Sequence, residues 1–396
     1  MKRQQITRHR ELYESMLFDD VVPFWLKHSQ DREYGGYLHM LDRDGSVYST
    51  DKYAWPHGRE VWVFSTLCDE VEKRQEWLDM AKLGWDFIVK HFIGDDGRVF
   101  YSLTRDGKPL SIPRRIFSET FVIMAAVRYA RVTGDKEAAS IARTMFRNVV
   151  DWVKTPIAGS QKAIPGARDM ITMAIPMIMM NVTREMMLLD GETPELLDYS
   201  EQCMDTFLNK HVHPERKLAF ENVAPDGSLM LDLPEGRHLI PGHAIEGAWF
   251  VMQEGMARKD QSLIDRARDL TLWELEFGWD REYGGITYFM DSEGKPTLGL
   301  DSDQKLWWCH NEALIALIHM LHLKGGSDVL GWYEKVHNYT FNLFPDKEHG
   351  EWIGYFHRDG RPNLQVKGSN WKCCFHLPRH LLIGWKLLSK MESEIE

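Results

Sequence analysis

The chain has 396 residues, with 48 lysines and arginines against 59 aspartates and glutamates, and a formal net charge of −11. This acidic balance argues against a nucleic-acid-binding protein, whose affinity depends on cationic side chains that neutralise phosphates. Hydrophobic residues make up 43% of the chain and charged residues 27%, which is typical of a globular protein and excludes a disordered one.

The N-terminal segment and the cysteines predict a cytoplasmic protein without a membrane anchor. Residues 1–25 are charged throughout and lack the apolar core of a signal peptide. No stretch of about 18 apolar residues is available to span a bilayer. The cysteines form no CxxC pair, which predicts a reducing compartment and no disulfide framework. They are Cys68, Cys203, Cys309, Cys373 and Cys374.

Hydrophobic periodicity predicts about twelve helices. In chain order they cover residues 5–28, 56–75, 77–92, 116–133, 136–153, 170–189, 195–211, 242–258, 262–277, 306–324, 328–343 and 371–390. Between pairs of helices lie turn-rich stretches in which an alternating segment ends in Asp-Gly, as in residues 36–45. That pattern is typical of a short β-hairpin.

A sequence that begins Asp-x-Glu-x-Gly recurs along the chain. Clear copies begin at Asp31, Asp280 and Asp346, and weaker ones near Asp95 and His213. Their spacing is about 66 residues or about twice that, which predicts six units of two helices each, with a degenerate copy near residues 155–169.

Six helical hairpins can form an open solenoid or close into a ring. An open solenoid needs polar caps, and both terminal helices are too apolar to serve as caps. No linker rich in proline, glycine or serine divides the chain. We therefore predict an all-α protein in which residues 1–396 form a single domain, an (α/α)6 barrel with short β-hairpins in the loops at one rim.

Five predicted helices begin with polar residues set among aromatic ones. The residues are Arg59 and Trp62, then Arg115, Ser118 and Glu119, then His243, Glu246 and Trp249, then Trp308, His310 and Glu312, and finally His376 and Arg379. Because these positions follow the repeat, the barrel would place them around one cavity. Two histidines there could act on one substrate carbon from two faces, although a histidine can equally be a core residue.

His243 and Glu246 are three residues apart on one helix and are therefore predicted neighbours. A carboxylate beside an imidazole holds one tautomer and favours the protonated form. Metal chemistry is not indicated, since His310-Asn-Glu312 lacks the spacing of a metal site. Phosphate-binding loops and a serine nucleophile elbow are also absent from the sequence.

Two strings are specific, Pro241-Gly-His243-Ala-Ile-Glu246 and Phe375-His376-Leu-Pro-Arg379. With Lys305-Leu-Trp-Trp308 and Glu351-Trp-Ile-Gly-Tyr355, they resemble the N-acylglucosamine 2-epimerase family over nearly the whole chain. That family includes renin-binding proteins, cellobiose 2-epimerases and aldose–ketose isomerases, and its fold is the (α/α)6 barrel.

The resemblance implies roles for individual residues. It makes His243 and His376 the two acid–base residues and Arg59 the arginine that binds the substrate carbonyl. The helical spacing adds Glu246 as the catalytic residue that can orient His243. The predicted substrate-binding residues are Trp249, Trp308, Glu312, Arg379, Glu119 and Trp62.

The stretch from Met170 to Met177 favours one branch of the family. It is similar to N-acylglucosamine epimerases, whereas the cellobiose and isomerase branches carry a histidine there. The predicted reaction is the interconversion of N-acetylglucosamine and N-acetylmannosamine. One histidine removes the proton at C2 of the open-chain sugar, and the other returns a proton to the opposite face. Arg59 would stabilise the enediolate oxygen.

This chemistry requires neither a metal nor a cofactor, and the expected partner is a small-molecule sugar. Several members of the family use ATP as an activator rather than a reactant, and the resemblance raises that expectation here, although no local motif marks a nucleotide site. The resemblance also implies a homodimer.

Three alternatives stay open. The first is an epimerase or aldose–ketose isomerase acting on mannose, glucose or cellobiose. The second is a glycoside hydrolase on the same helical ring, for which Glu119, Glu246 and Glu312 could supply the paired carboxylic acids. The third is a non-catalytic binding protein.

Overall fold

The computed structural model describes residues 1–111, 116–154 and 166–395. In these ranges the chain folds mainly into helices. They are α1 (Arg3–Ser15), α2 (Val22–His28), α3 (Ala54–Glu70), α4 (Gln75–Phe87), α5 (Phe117–Thr133), α6 (Lys136–Lys154), α7 (Ala174–Asp190), α8 (Pro194–Thr206), α9 (Pro241–Arg258), α10 (Gln261–Gly278), α11 (Trp307–His322), α12 (Ser327–Leu343) and α13 (His376–Ser393).

Three π-helical segments lengthen this set. Met16–Val21 joins α1 to α2, Ile88–Phe92 continues α4, and Phe207–His211 continues α8. The prediction of a helical protein is therefore confirmed, and most predicted helices agree with the observed ones to within a few residues.

The helices alternate between two burial patterns. The whole circumference of α5 is buried, whereas α6 buries one face and exposes charged residues on the other. The same contrast separates α3, α7, α9, α11 and α13 from their hairpin partners. In the series α3, α5, α7, α9, α11 and α13 each helix packs on the next one, and each also packs on its partner. This arrangement is consistent with a helical toroid whose fully buried helices lie inside.

The loops contain short antiparallel sheets. The strands are β1 (Met40–Leu41), β2 (Val47–Ser49), β3 (Lys52–Tyr53), β4 (Ser102–Leu103), β5 (Pro109–Ser111), β6 (Ile171–Thr172), β7 (Val212–His213), β8 (Leu218–Ala219), β9 (Asn222–Val223), β10 (His238–Leu239), β11 (Met290–Asp291), β12 (Lys305–Leu306), β13 (Tyr355–Phe356) and β14 (Pro362–Leu364). The pairs β1–β2, β4–β5 and β13–β14 turn at Gly45, Gly107 and Gly360, whose φ values of 84°, 92° and 84° suit glycine. The predicted Asp-Gly hairpins are thus confirmed there.

The three clear repeat copies form the same structure. Asp31, Asp280 and Asp346 each accept hydrogen bonds from the backbone two and three residues later. Each aspartate also pairs with one lysine, buried in all three cases, and one arginine. The sets are Asp31 with Lys52 and Arg105, Asp280 with Lys305 and Arg358, and Asp346 with Lys367 and Arg43. The last set joins the end of the chain to its beginning.

Two predicted helix starts were wrong. Helix α7 begins at Ala174 rather than at residue 170, because Ile171–Thr172 pairs with β9. Helix α13 begins at His376 rather than at residue 371, because the hydroxyl of Ser369 accepts hydrogen bonds from the backbone of Trp371 and Lys372 and holds a turn there. Arg115 and most of the degenerate copy at residues 155–169 lie outside the described residues.

The five cysteines are buried and none is in a disulfide. None of the described helices is both long and apolar enough to cross a bilayer.

Candidate active site

The polar residues singled out in the sequence lie at or near the first turns of α3, α5, α9, α11 and α13. Pro241 is the first residue of α9 and Pro378 the third of α13, where the missing N–H of proline costs no hydrogen bond. Most of the polar side chains that contact one another at this site come from the N-terminal parts of α9, α11 and α13.

One cluster is centred on Glu312 of α11, which is fully buried. Its Oε1 lies 2.7 Å from Nδ1 of His376 and 2.7 Å from the guanidinium of Arg379. Its Oε2 accepts a 2.9 Å hydrogen bond from the indole of Trp249. Arg379 also binds Glu246 at 2.5 Å, so one guanidinium joins two carboxylates. Side chains of three helices thereby fix the ring of His376.

The second histidine has a partner that the sequence analysis missed. Nδ1 of His243 lies 3.1 Å from Oε2 of Glu221, and the other oxygen of Glu221 accepts a 3.1 Å hydrogen bond from the hydroxyl of Thr172. The predicted neighbour Glu246 hydrogen-bonds Arg379 rather than His243, and it acts on His243 only through its charge, which raises the pKa of that imidazole. Glu221 sits between short strands, where helical spacing gives no signal. The sequence signal for Glu221 is limited to a single charged residue directly after the hydrophobic Phe220.

Both imidazoles present the same nitrogen to a carboxylate. A carboxylate can only accept a hydrogen bond, so Nδ1 carries the proton in the neutral form of either ring. Nε2 of His243 and Nε2 of His376 are then the atoms that gain or lose a proton.

The two rings differ in protonation. Burial opposes the charge on His243, but the carboxylate of Glu221, with a smaller contribution from Glu246, outweighs it and raises the pKa of His243 above its ordinary value. Burial lowers the pKa of His376 well below its ordinary value, and the cations of Arg59 and Arg379 lower it further. The pair therefore favours one protonated and one neutral imidazole.

Trp308 lies close to both histidines. Its ring centre lies 5.2 Å from that of His243 and 5.9 Å from that of His376. Gly242 permits this approach, because a Cβ at that position would lie 2.8 Å from the Trp308 ring and 2.9 Å from the sulfur of Cys309. An aromatic ring beside two acid–base groups suits a flat apolar face of a small substrate.

Arg59 of α3 provides a permanent cation beside this pair. Its guanidinium carbon lies 4.1 Å from the ring centre of Phe121 and 5.0 Å from that of Phe375. Trp62, one turn further along α3, packs on Phe375 at 5.3 Å. Trp62 thus belongs to the wall that holds Phe375, the residue before His376.

Other polar residues of the predicted set have structural contacts. Glu119 is fully buried and accepts hydrogen bonds of 2.6 Å from Arg98 and 3.1 Å from the backbone of Val99. His310 bonds the backbone of Leu306 and Ile286, and its pKa is lowered to about 3 by burial. The geometry assigns these two residues to the framework.

The side chains of Glu246, Glu312 and His376 could in principle hold a metal ion, since their ligand atoms lie within 4.8 Å of one another. The guanidinium of Arg379 already lies against both carboxylates. It supplies the positive charge that a cation would bring, so the donor set fits a metal poorly.

Comparison with known proteins identifies the family. A sequence profile of the N-acylglucosamine 2-epimerase family matches residues 35–377. The chain belongs to this family. N-acylglucosamine 2-epimerase from Bos taurus is 37% identical over 388 residues, covering 95% of this chain and 90% of that protein. The enzyme of the same name from Homo sapiens is 34% identical, and the match covers 99% of this chain and 94% of that protein.

More distant members of the epimerase family share the fold. Cellobiose 2-epimerase from Bacteroides fragilis is 23% identical, covering 90% of this chain and 93% of that protein. The solved cellobiose 2-epimerase from Bacillus thermoamylovorans superposes with a TM-score of 0.82 at 20% identity, covering 96% of this chain and 99% of that one. The predicted family is confirmed, and with it a carbohydrate isomerase.

Proposed function

We propose that this epimerase interconverts N-acetylglucosamine and N-acetylmannosamine by inverting C2 of the open-chain sugar. The observation that carries the proposal is the pair of imidazoles that both lie beside Trp308, each with Nδ1 on a carboxylate. The full-length relatives at 34–37% identity, named N-acylglucosamine 2-epimerase, support the choice of sugar.

The chemistry follows from the position of the proton. The hydrogen at C2 lies α to the aldehyde of the open-chain sugar, so its removal gives an enediolate. A neutral imidazole is a suitable base near neutral pH, and a protonated one on the other side is a suitable acid. The pKa of His376 is lowered, which suits a base, and the pKa of His243 is raised, which suits an acid.

The developing negative charge on the carbonyl oxygen needs a preorganised positive partner. Arg59 is the candidate, because an arginine keeps its charge even in a buried site. Its aromatic neighbours Phe121 and Phe375 exclude water and strengthen the interaction. Proton return from the second histidine to the opposite face completes the inversion without a cofactor.

We also propose that residues 1–396 form one closed (α/α)6 barrel. Two contacts across the junction of the chain ends support closure: the Arg43–Asp346 ion pair and a 2.7 Å bond between Lys386 of α13 and Glu70 of α3. A cytoplasmic homodimer, with ATP as an activator, is the corresponding proposal for the assembled enzyme, and it rests on the family resemblance.

The glycoside hydrolase alternative loses support at this site. Glu246 and Glu312 share the guanidinium of Arg379, and Glu119 is bound by Arg98. None of the three is positioned as a free acid that could protonate a glycosidic oxygen.

The test is proton NMR of N-acetylmannosamine in D2O, with and without ATP. The proposal expects N-acetylglucosamine with deuterium at C2, while the unreacted N-acetylmannosamine keeps its hydrogen in the early phase. Deuterium in both sugars from the start would indicate a single base. A ketose product from mannose, or epimerisation of glucose or cellobiose alone, would instead move the enzyme to another branch of the family. Inertness towards every sugar would favour a binding protein.

A further inference from the structure

Glu221 is held from several directions. Its backbone N–H donates to the carbonyl of His238 at 3.1 Å, and its carbonyl accepts from the N–H of Met173 at 2.8 Å. Its side chain bonds Thr172 and His243, and only 7% of the residue is exposed. The two backbone bonds hold the main chain of Glu221 in place, and the hydroxyl of Thr172 holds its carboxylate towards the imidazole.

The charges around His243 leave Glu221 as its main counter-ion. Glu246 lies one turn further along α9, but it is neutralised by Arg379. His238 on β10 has its pKa lowered by burial, and His376 on α13 likewise favours its neutral form. Neither imidazole adds negative charge. Glu246 still raises the pKa of His243 through its charge, but Glu221 does so more strongly and is the carboxylate that is hydrogen-bonded to the imidazole.

We propose that Glu221, fixed by the hydroxyl of Thr172, is a positioning residue that keeps His243 in its proton-donating form and directs Nε2 toward C2 of the sugar. This inference rests on the proposed epimerase function. Glu221 lies in the loop between β8 and β9, and Thr172 lies on β6 next to α7. Neither residue was among the site residues predicted from the sequence.

The mechanism predicts a specific change in the pH profile. The active form carries one proton on the histidine pair, so kcat/KM falls at high pH when His243 loses its proton. Glu221→Gln removes the anion but keeps the shape of the side chain. We expect the alkaline limb of kcat/KM to shift to lower pH by about 1 to 2 pH units, because the pKa of His243 falls. At pH 8 kcat should fall at least about ten-fold, with a smaller change in KM.

Glu274→Gln is the matched control. Glu274 is also fully buried, lies behind the neighbouring strand β8, and accepts a 2.7 Å hydrogen bond from the backbone of Ala219. Burial raises its pKa to about 8, so it is mostly protonated at neutral pH and glutamine imitates it closely. The pH profile of this variant should match that of the unmodified enzyme.

Two further variants separate charge from orientation. Glu221→Asp keeps the negative charge with a shorter reach, so it should restore the alkaline limb while kcat stays low. Thr172→Val frees the carboxylate without removing its charge, so kcat should fall while the alkaline limb of kcat/KM does not move to lower pH. Thr172→Ser keeps a hydroxyl and should recover most of the rate. A purely structural role would lower the amount of folded enzyme in every variant without shifting any limb.

The outcomes are distinguishable from failure of the epimerase proposal. If the unmodified enzyme exchanges no deuterium at C2 of any sugar, the proposed function fails. If it turns over and Glu221→Gln, shown by circular dichroism to be folded, keeps the unmodified pH profile, the role of Glu221 is overturned. A limb that moves equally in Glu274→Gln would also overturn it.

Discussion

At the residue scale, the two histidines differ because their neighbours differ. Each ring meets a carboxylate, but His376 also lies beside the cations of Arg59 and Arg379, which lower its pKa, whereas Glu221 raises the pKa of His243. Inversion by two bases needs such an asymmetry, since one ring must accept a proton while the other donates one. The sequence analysis found both histidines, but it could not foresee which carboxylate each would meet.

Replacing either histidine should leave half of the exchange chemistry intact. His243→Asn and His376→Asn are each expected to lower epimerisation by about 10²- to 10⁴-fold, the usual contribution of a general acid–base group. Each variant should still exchange the C2 proton of the one epimer that its remaining histidine faces. NMR of both epimers in D2O measures this. Near-normal epimerisation by either variant would contradict the assignment.

Arg379 controls the protonation of His376. Arg379→Met removes a cation that lowers the pKa of His376 and exposes that ring to the uncompensated charge of Glu312. The pKa of His376 should therefore rise. Because the base must be neutral, the acid limb of kcat/KM should move to higher pH. A pH–rate profile measures the shift, and an acid limb that stays in place or moves down would refute the argument.

At the element scale, most of the helix pattern could be predicted from periodicity, because an inner helix and its outer partner repeat apolar residues every three to four positions. The errors at α7 and α13 have local causes. A two-residue strand replaces the first turn of the predicted α7, and the Ser369 hydroxyl stabilises a turn before α13. The contact of Glu221 with His243 could not be predicted from periodicity, because it depends on contacts between short strands that are distant in sequence.

The junction between α9 and α11 depends on a glycine. In Gly242→Ala the added Cβ would fall 2.8 Å from the ring of Trp308, so that ring or the start of α9 must move. We expect KM to rise and kcat to fall with little loss of helix content, measured by steady-state kinetics and circular dichroism. Gly331→Ala on α12 is the control, because its Cβ meets nothing within 4 Å. Alanine there should leave activity unchanged and add about 1 kcal/mol of stability.

At the scale of the whole molecule, buried acids make stability depend on pH. Burial raises the pKa of Glu60 and of Glu274 from about 4.5 to about 8. A raised folded-state pKa stabilises the protein below pH 4.5, and this contribution is lost as the pH rises toward 8. Glu274→Gln cannot ionise, so its free energy of unfolding should fall less between pH 5 and 8.5. Parallel curves from urea unfolding would show that Glu274 is not the cause.

The proposed closure of the ring is the second whole-molecule property, and the repeated ion pairs make it testable. Asp346 binds buried Lys367 at 2.8 Å and Arg43 at 2.8 Å, and so connects the last repeat copy with the first. Asp280 makes the equivalent contacts with Lys305 and Arg358 between copies that are neighbours in sequence.

Asp346→Asn and Asp280→Asn should each lower the free energy of unfolding by about 3 to 5 kcal/mol, because each leaves a buried lysine without its partner. Only Asp346→Asn breaks the contact between the two ends of the chain. It should therefore speed amide hydrogen exchange in residues 29–53, whereas Asp280→Asn should speed exchange around residues 280–306. Equal exchange in residues 29–53 for both variants would mean that the chain ends are held together by other contacts, such as the packing of α1 on α13 and the Lys386–Glu70 ion pair, and that Asp346 contributes only local stability.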